Sequence, residues 1–185
     1  MVLKEIRVHG RGGQGAVTST QVLAIAAFFD GKYSQAFPNF GVERTGAPVE
    51  SFVRIDDKPI NLRQHVYDPD YVIVLDSSLL DAVDVTKGLK KGGAIIINTD
   101  KSAAELKKKL GDFQISAINI TKIALETMGK PFVNIAALGA FCALRKDISL
   151  QALDKAIDEL FIASGKAAAA ELNKKAVKAV AGVCM

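Results

Sequence analysis

The residues best suited to chemistry sit in one stretch, "VHGRGGQGAV", Val8–Val17. Gly10, Gly12 and Gly15 satisfy G-x-G-x-x-G between a strand-like run and a helix-like run. Glycines let a backbone come close to an anion, and a helix N-terminus offers free N–H groups and the positive end of its dipole. Arg11 adds a fixed cation beside the loop. Arg11, Gly12, Gly13, Gln14 and Gly15 are therefore the candidate anion-binding residues. A dinucleotide site also needs an acid roughly 20 residues further on, at the end of the second strand. Here that region reads "YSQAF"; Asp30 precedes it and Glu43 lies well beyond it. A P-loop needs Lys and Ser/Thr where Ala16 and Val17 stand. Three readings stay open for the loop: a nicotinamide or flavin dinucleotide seat, which the missing acid disfavours; a tight structural turn; or a seat for another anion, such as a phosphate-bearing cofactor or an acidic partner surface.

Other chemistries find few residues. The two cysteines, Cys142 and Cys184, and the two histidines, His9 and His65, build no zinc or iron–sulfur ligand set within one copy. Cys142 reads as a buried small hydrophobe and Cys184 as part of a frayed end. Both histidines read as satisfied structural residues. No residue stands out as a general base, a nucleophile or a metal ligand. The net charge of +4 comes from scattered lysines in helix-like segments, without the arginine-rich, aromatic-interleaved pattern of a nucleic-acid binder. Apolar runs such as "YVIVLD" are too short to cross a bilayer, and "MVLKEIRV" lacks the apolar core of a signal peptide. The chain reads as cytoplasmic.

The elements that must position the loop follow from periodicity. Leu3–His9 reads as a first strand with Ile6 and Val8 on one face, and Ala16–Phe29 as a helix ended by Gly31. Tyr33–Phe37 reads as a strand, Pro38–Pro48 as a loop, and Val49–Ile55 as a strand with Ile60–Leu62 returning after the turn "DDKP". The fully apolar runs Tyr71–Leu75 and Ala94–Asn98 read as strands buried on both faces. Phe113–Ala117 reads as a last strand. Helices are expected over Ser78–Val83, Ala103–Leu110, Thr121–Met128, Phe132–Leu144, Leu150–Ala163 and Lys166–Ala181. The pattern predicts one α/β domain over residues 1–185. It is a three-layer sandwich with a mostly parallel mixed sheet, a glycine-rich strand–loop–helix at the N-terminus and helices at the C-terminus.

A second motif, "QAFPNFGVERTGAPVESFVRI" at Gln35–Ile55, combines Pro38 and Pro48 with Phe37, Phe40 and Phe52 and the pair Glu43–Arg44. Aromatic anchors beside an arginine are what interface hot spots use. With "GRGGQG", "DPDYVIVLD" and "NIAALGAF" at Asn134–Phe141, this stretch resembles the gamma subunit of 2-oxoacid:ferredoxin oxidoreductases, most closely the pyruvate:ferredoxin oxidoreductase (pyruvate synthase) type. The resemblance covers essentially the whole chain in order.

That resemblance implies one subunit of a heteromeric, cytoplasmic enzyme of anaerobic metabolism, inactive alone. The complex converts pyruvate, coenzyme A and oxidised ferredoxin to acetyl-CoA, carbon dioxide and reduced ferredoxin. It implies alpha, beta and delta subunits as partners, with thiamine diphosphate, magnesium and [4Fe–4S] clusters held by them. Coenzyme A is expected at a shared site, with Arg11, Gly12, Gly13, Gln14 and Gly15 offering donors and this chain helping to close the active site. Phe37, Pro38, Phe40, Glu43 and Arg44 are expected at a subunit interface. Three alternatives remain: the gamma subunit of a 2-ketoisovalerate or other 2-oxoacid enzyme, an assembly subunit that touches no ligand, and a stand-alone dinucleotide-binding oxidoreductase.

Overall fold

The computed structural model describes residues 2–39 and 45–185. Six strands form one sheet: β1 (Lys4–Arg11), β2 (Tyr33–Pro38), β3 (Pro48–Asp56), β4 (Tyr71–Val74), β5 (Ala94–Asn98) and β6 (Gln114–Ile118), in the order β2-β3-β1-β4-β5-β6. Strands β1, β4, β5 and β6 run parallel, and β3 is antiparallel to both β1 and β2. The helices are α1 (Ala16–Phe29), α2 (Ala103–Leu110), α3 (Ile120–Met128), α4 (Ala136–Arg145), α5 (Leu150–Ile162) and α6 (Ala167–Gly182).

Alternation along the strands divides the core into two. Ile6 and Val8, Val53 and Ile55, and Ile73 and Leu75 point to one face, where they meet α1 and the helices from α3 onward. Val72, Val74, Ile95 and Ile97 point to the other, where Leu79, Leu89 and Leu106 cover them. The sandwich is thus three-layered, with α2 and a 3-10 turn at Ser77–Asp81 on the thinner side. Helix α1 ends as expected at Gly31, whose φ of 72° lets Gly31 N donate to Phe28 O and Lys32 N to Ala27 O. Among the described residues no helix is long and apolar enough to cross a membrane.

Three expectations need correction. Ile60–Leu62 is not a returning strand: both sides of β3 are already paired, with β1 and β2, so no free ladder remains for it. The antiparallel element is β3 itself. Helix α4 begins at Ala136 rather than Phe132: Phe132 and Val133 line the site described below, and Asn134 Nδ2 donates to Gly15 O at 3.3 Å. Cys184 is not frayed: it packs half-buried against the core that contains Cys142, and its amide donates to Ala181 O.

The thinner side buries charge under β1 and β3. Arg54 is 1% exposed; its Nε donates to Glu5 Oε1 at 2.9 Å and its Nη2 to the carbonyls of Gln64 and His65 at 2.7 and 3.1 Å. Arg7 Nη2 donates to Val85 O and Lys87 O at 3.0 and 2.6 Å. These guanidinium groups pin the irregular segments 64–65 and 85–87 onto the sheet where apolar packing would leave their carbonyls unpaired.

Candidate functional site

The chain leaves β1 toward one edge of the sheet, through α1, β2 and β3, and then returns to β4 on the other side of β1. The C-terminal ends of β1 and β4 therefore flank a switch point in strand order, the place where open α/β sheets bind ligands. The glycine loop follows β1 there. Gly10 allows close packing of strand on helix: a Cβ would lie 3.2 Å from Ala16 Cβ and 3.3 Å from Leu75 Cδ1. Gly13 and Gly15 hold φ of 92° and 81°, in the left-handed region. At Gly15 a Cβ would also run into the Asn134 side chain, whose Nδ2 donates to Gly15 O at 3.3 Å.

The loop's side chains are tied down. Gln14 Oε1 accepts from Arg11 N at 2.8 Å, and Gln14 Nε2 donates to Asp76 Oδ2 at 2.9 Å. Arg11 Nε lies 3.3 Å from that same oxygen, its Nη1 donates to Gly46 O at 3.0 Å, and its Nη2 to Ser78 Oγ at 2.7 Å. Burial pulls the Asp76 carboxyl upward, but hydrogen bonds from Ser78 and Gln14 and the Arg11 charge outweigh it and hold it below the usual carboxylate range. Gly12 exchanges main-chain bonds with the second motif, donating to Ala47 O at 2.8 Å and accepting from Gly46 N at 3.1 Å.

A cavity of about 670 Å³ opens over the strand ends. Gly13 and Gln14 line it from the loop, Leu75 and Asp76 from the end of β4, Asn98, Thr99 and Asp100 from the end of β5, and Phe132 and Val133 from the segment before α4. Asn98 is fixed by donating to Leu75 O at 2.9 Å and accepting from Thr121 N at 3.0 Å. Helix α1 opens just after this loop, at Gly15, with no side-chain cap and no acid in its first turn among the described residues, so no carboxylate of its own opposes an anion near its positive dipole end. The cavity's charged lining is acidic, Asp76 and Asp100. Anion binding here would rest on main-chain N–H groups, since Arg11 is already paired with Asp76.

Of the candidate residues, Gly13 and Gln14 line the cavity, Gly15 caps α1, and Arg11 and Gly12 brace the loop from behind. Phe37 lies away from it on β2, its ring 5.5 Å from that of Phe52 and 5.1 Å from the Arg54 guanidinium; Pro38 ends the same strand. Phe40, Glu43 and Arg44 lie outside the described residues. Asp76 and Asn98 were not foreseen as site residues. The signal was present: each is the first polar residue after a fully apolar parallel strand, in "VIVLD" and "IIIN".

Of the two histidines expected to be satisfied structural residues, His9 departs from that reading. His9 is 1% exposed, its Nδ1 lies 3.6 Å from Glu50 Oε1, and its Nε2 has no hydrogen-bond partner among the described residues. Burial, reinforced by the Arg7 charge, pushes its pKa down to about 3. His65 is exposed, its ring standing between Phe52 and Tyr67 at 6.2 and 6.4 Å. Among the described residues no three His, Cys, Asp or Glu converge as metal ligands. The two cysteines, one buried and one half-buried, are too few to ligate a [4Fe–4S] cluster within one copy of the chain.

The sheet order departs from that of the doubly wound dinucleotide-binding fold. In that arrangement the strand after the first helix lies beside β1 and places its terminal acid at the ribose. Here β3 stands between β1 and β2, and β2 ends in Pro38.

Comparison with known proteins is consistent across nearly the whole chain. The family described as pyruvate ferredoxin/flavodoxin oxidoreductase matches residues 5–182. The chain is 54% identical over 178 residues to the pyruvate/ketoisovalerate oxidoreductases common subunit gamma of Thermococcus kodakarensis, covering 94% of this chain and 93% of that one. It is 52% identical over 174 residues to pyruvate synthase subunit PorC of Methanocaldococcus jannaschii, covering 94% and 93%. The crystal structure of the pyruvate oxidoreductase subunit PORC from Thermotoga maritima is similar at a TM-score of 0.83 and 36% identity, covering 97% and 96%.

Proposed function

The chain belongs to the pyruvate ferredoxin/flavodoxin oxidoreductase family, and from that premise we propose that it is the gamma subunit of a pyruvate:ferredoxin oxidoreductase. Identity above 50%, over more than 90% of both chains, to proteins named as gamma or PorC subunits carries the reading. Its partners are alpha, beta and delta subunits, and ferredoxin is the electron acceptor of the complex. Thiamine diphosphate and iron–sulfur clusters supply the decarboxylation and electron transfer from those partners. The same gamma chain serves a ketoisovalerate enzyme as well if it is shared as the Thermococcus relative's name describes for that protein.

The chain's own contribution is positional. The glycine loop and the uncapped start of α1 present main-chain donors to an anionic part of coenzyme A beside the cavity at the strand ends. Arg11 and Gln14 hold that loop in shape through Asp76 rather than meeting the coenzyme as free charges. The cavity walls, with Phe132 and Val133, exclude water from the bound arm. The ties on Arg11 and Gln14 also favour a second reading, an assembly subunit that touches no ligand.

Hydrogen exchange on the intact complex separates the two. The coenzyme reading expects coenzyme A to slow exchange at residues 12–18, and the assembly reading expects no change there. Failure of this chain to capture the other three subunits would overturn both.

A further inference from the structure

Far from the strand ends, the last turn of α1 exposes what a free monomer would bury. Phe28 is 71% and Phe29 37% exposed, their rings edge to face with centroids 6.0 Å apart. With Ala24 and Ile25 they wall a groove of about 490 Å³, closed by Ser34 of β2 and Glu159 of α5. Ser34 Oγ donates to Ala24 O at 2.8 Å, which fixes the strand against the helix and makes the groove part of the fold.

Two further observations say what the groove meets. Glu159 has no ion-pair partner among the described residues, whereas its neighbours on α5 do: Asp154 with Lys178 and Asp158 with Lys174. It is the one charged side chain in a lining otherwise made of Ala24, Ile25, Phe28, Phe29 and Ser34, whose hydroxyl is already bonded to Ala24 O, and this calls for a basic side chain flanked by apolar ones. Beside it runs β2, the outermost strand of the sheet, all six residues of which are at least partly exposed and whose outer edge pairs with no strand among the described residues. Such an edge accepts an extended segment by main-chain hydrogen bonding.

A second copy of this chain fits poorly. Two-fold antiparallel pairing of β2 with itself sets Tyr33 opposite Pro38 of the copy. The two phenylalanine pairs, each at the Tyr33 end, would then fall at opposite ends of the paired strands and miss each other.

We infer that the groove of Ile25, Phe28, Phe29 and Glu159, with the outer edge of β2 beside it, docks an apolar segment bearing a lysine or arginine from another subunit of the oxidoreductase. This rests on the subunit reading above. The test is co-expression of all four subunits with tagged gamma chain, as wild type, Phe28→Ser and Glu159→Lys, reading partner retention, melting temperature and the mass of the isolated gamma chain. The inference expects at least tenfold weaker retention for each variant, unchanged melting of Glu159→Lys, and a monomeric isolated chain. Wild-type retention by both variants overturns it and leaves the subunit reading standing. A wild-type chain that captures no partner overturns both. An isolated chain that is dimeric, and becomes monomeric in the variants, assigns the groove to a second copy and overturns the inference. If Phe28→Ser fails to fold, Glu159→Lys decides.

Discussion

Asp76, at the end of β4, stands 3.3 Å from Arg11 in the loop after β1, and the same carboxylate oxygen takes a hydrogen bond from Gln14 at 2.9 Å. One carboxylate thus holds the loop that a glycine motif alone would leave loose. Asp76→Asn should lower stability by about 1 kcal/mol, since the network is partly exposed. It should speed hydrogen exchange at residues 11–16 without disturbing the distant helices. Exchange mass spectrometry on the isolated chain reads this directly.

The two positive-φ glycines of the loop should respond differently to alanine. Gly13 has open space around it, so Gly13→Ala meets only the left-handed backbone penalty, about 1–2 kcal/mol. Gly15→Ala meets that penalty and a collision with Asn134. Its loss should exceed that of Gly13→Ala, and Gly15→Ala combined with Asn134→Gly should recover part of the difference. Urea melts of the three variants check the order.

Much of this arrangement was legible in the sequence. Strand β1, the glycine turn, α1 and its stop at Gly31 follow from local rules, because the residues that fix them lie within a few positions of one another. The two buried strands after Asp70 were readable from unbroken apolar runs. The site was harder. Asp76 and Asn98 matter because the sheet order sets β4 and β5 beside β1, a long-range fact that no local window contains. Segment 132–135 looks helical by composition, but Asn134 is drawn to Gly15, 119 positions away. The apparent hairpin after β3 failed for a similar reason: β1 and β2 already occupy both its edges.

His9 gives a pH dependence with a definite sign. Its folded pKa is pushed to about 3, below the unfolded value of about 6.5. Between those values the unfolded chain holds the extra proton, so stability falls as pH drops through that window. Glu50 lies too far, at 3.6 Å, to offset this with a hydrogen bond. The slope should approach about 1.4 kcal/mol per pH unit below pH 6. His9→Asn should flatten the denaturation free energy over pH 4.5–6.5 relative to wild type; parallel curves would contradict the assignment.

Helices α4 and α6 touch where Gly139 meets the Val177 carbonyl, with no room for a Cβ. Gly139→Ala should destabilise by about 1–3 kcal/mol through overpacking. Gly182→Ala, with open space around it, should be near neutral. Thermal melts of the two variants give the comparison.

The most direct test of the gamma-subunit assignment is turnover of the reconstituted complex with and without this chain. Alpha, beta and delta subunits are co-expressed with it or without it, and viologen reduction that requires both pyruvate and coenzyme A is measured at matched subunit concentration. The account predicts a four-subunit complex that reduces the dye only when both substrates are present, and loss of that activity when this chain is omitted. Equal turnover without it, or a chain that elutes alone from its partners, would contradict the account.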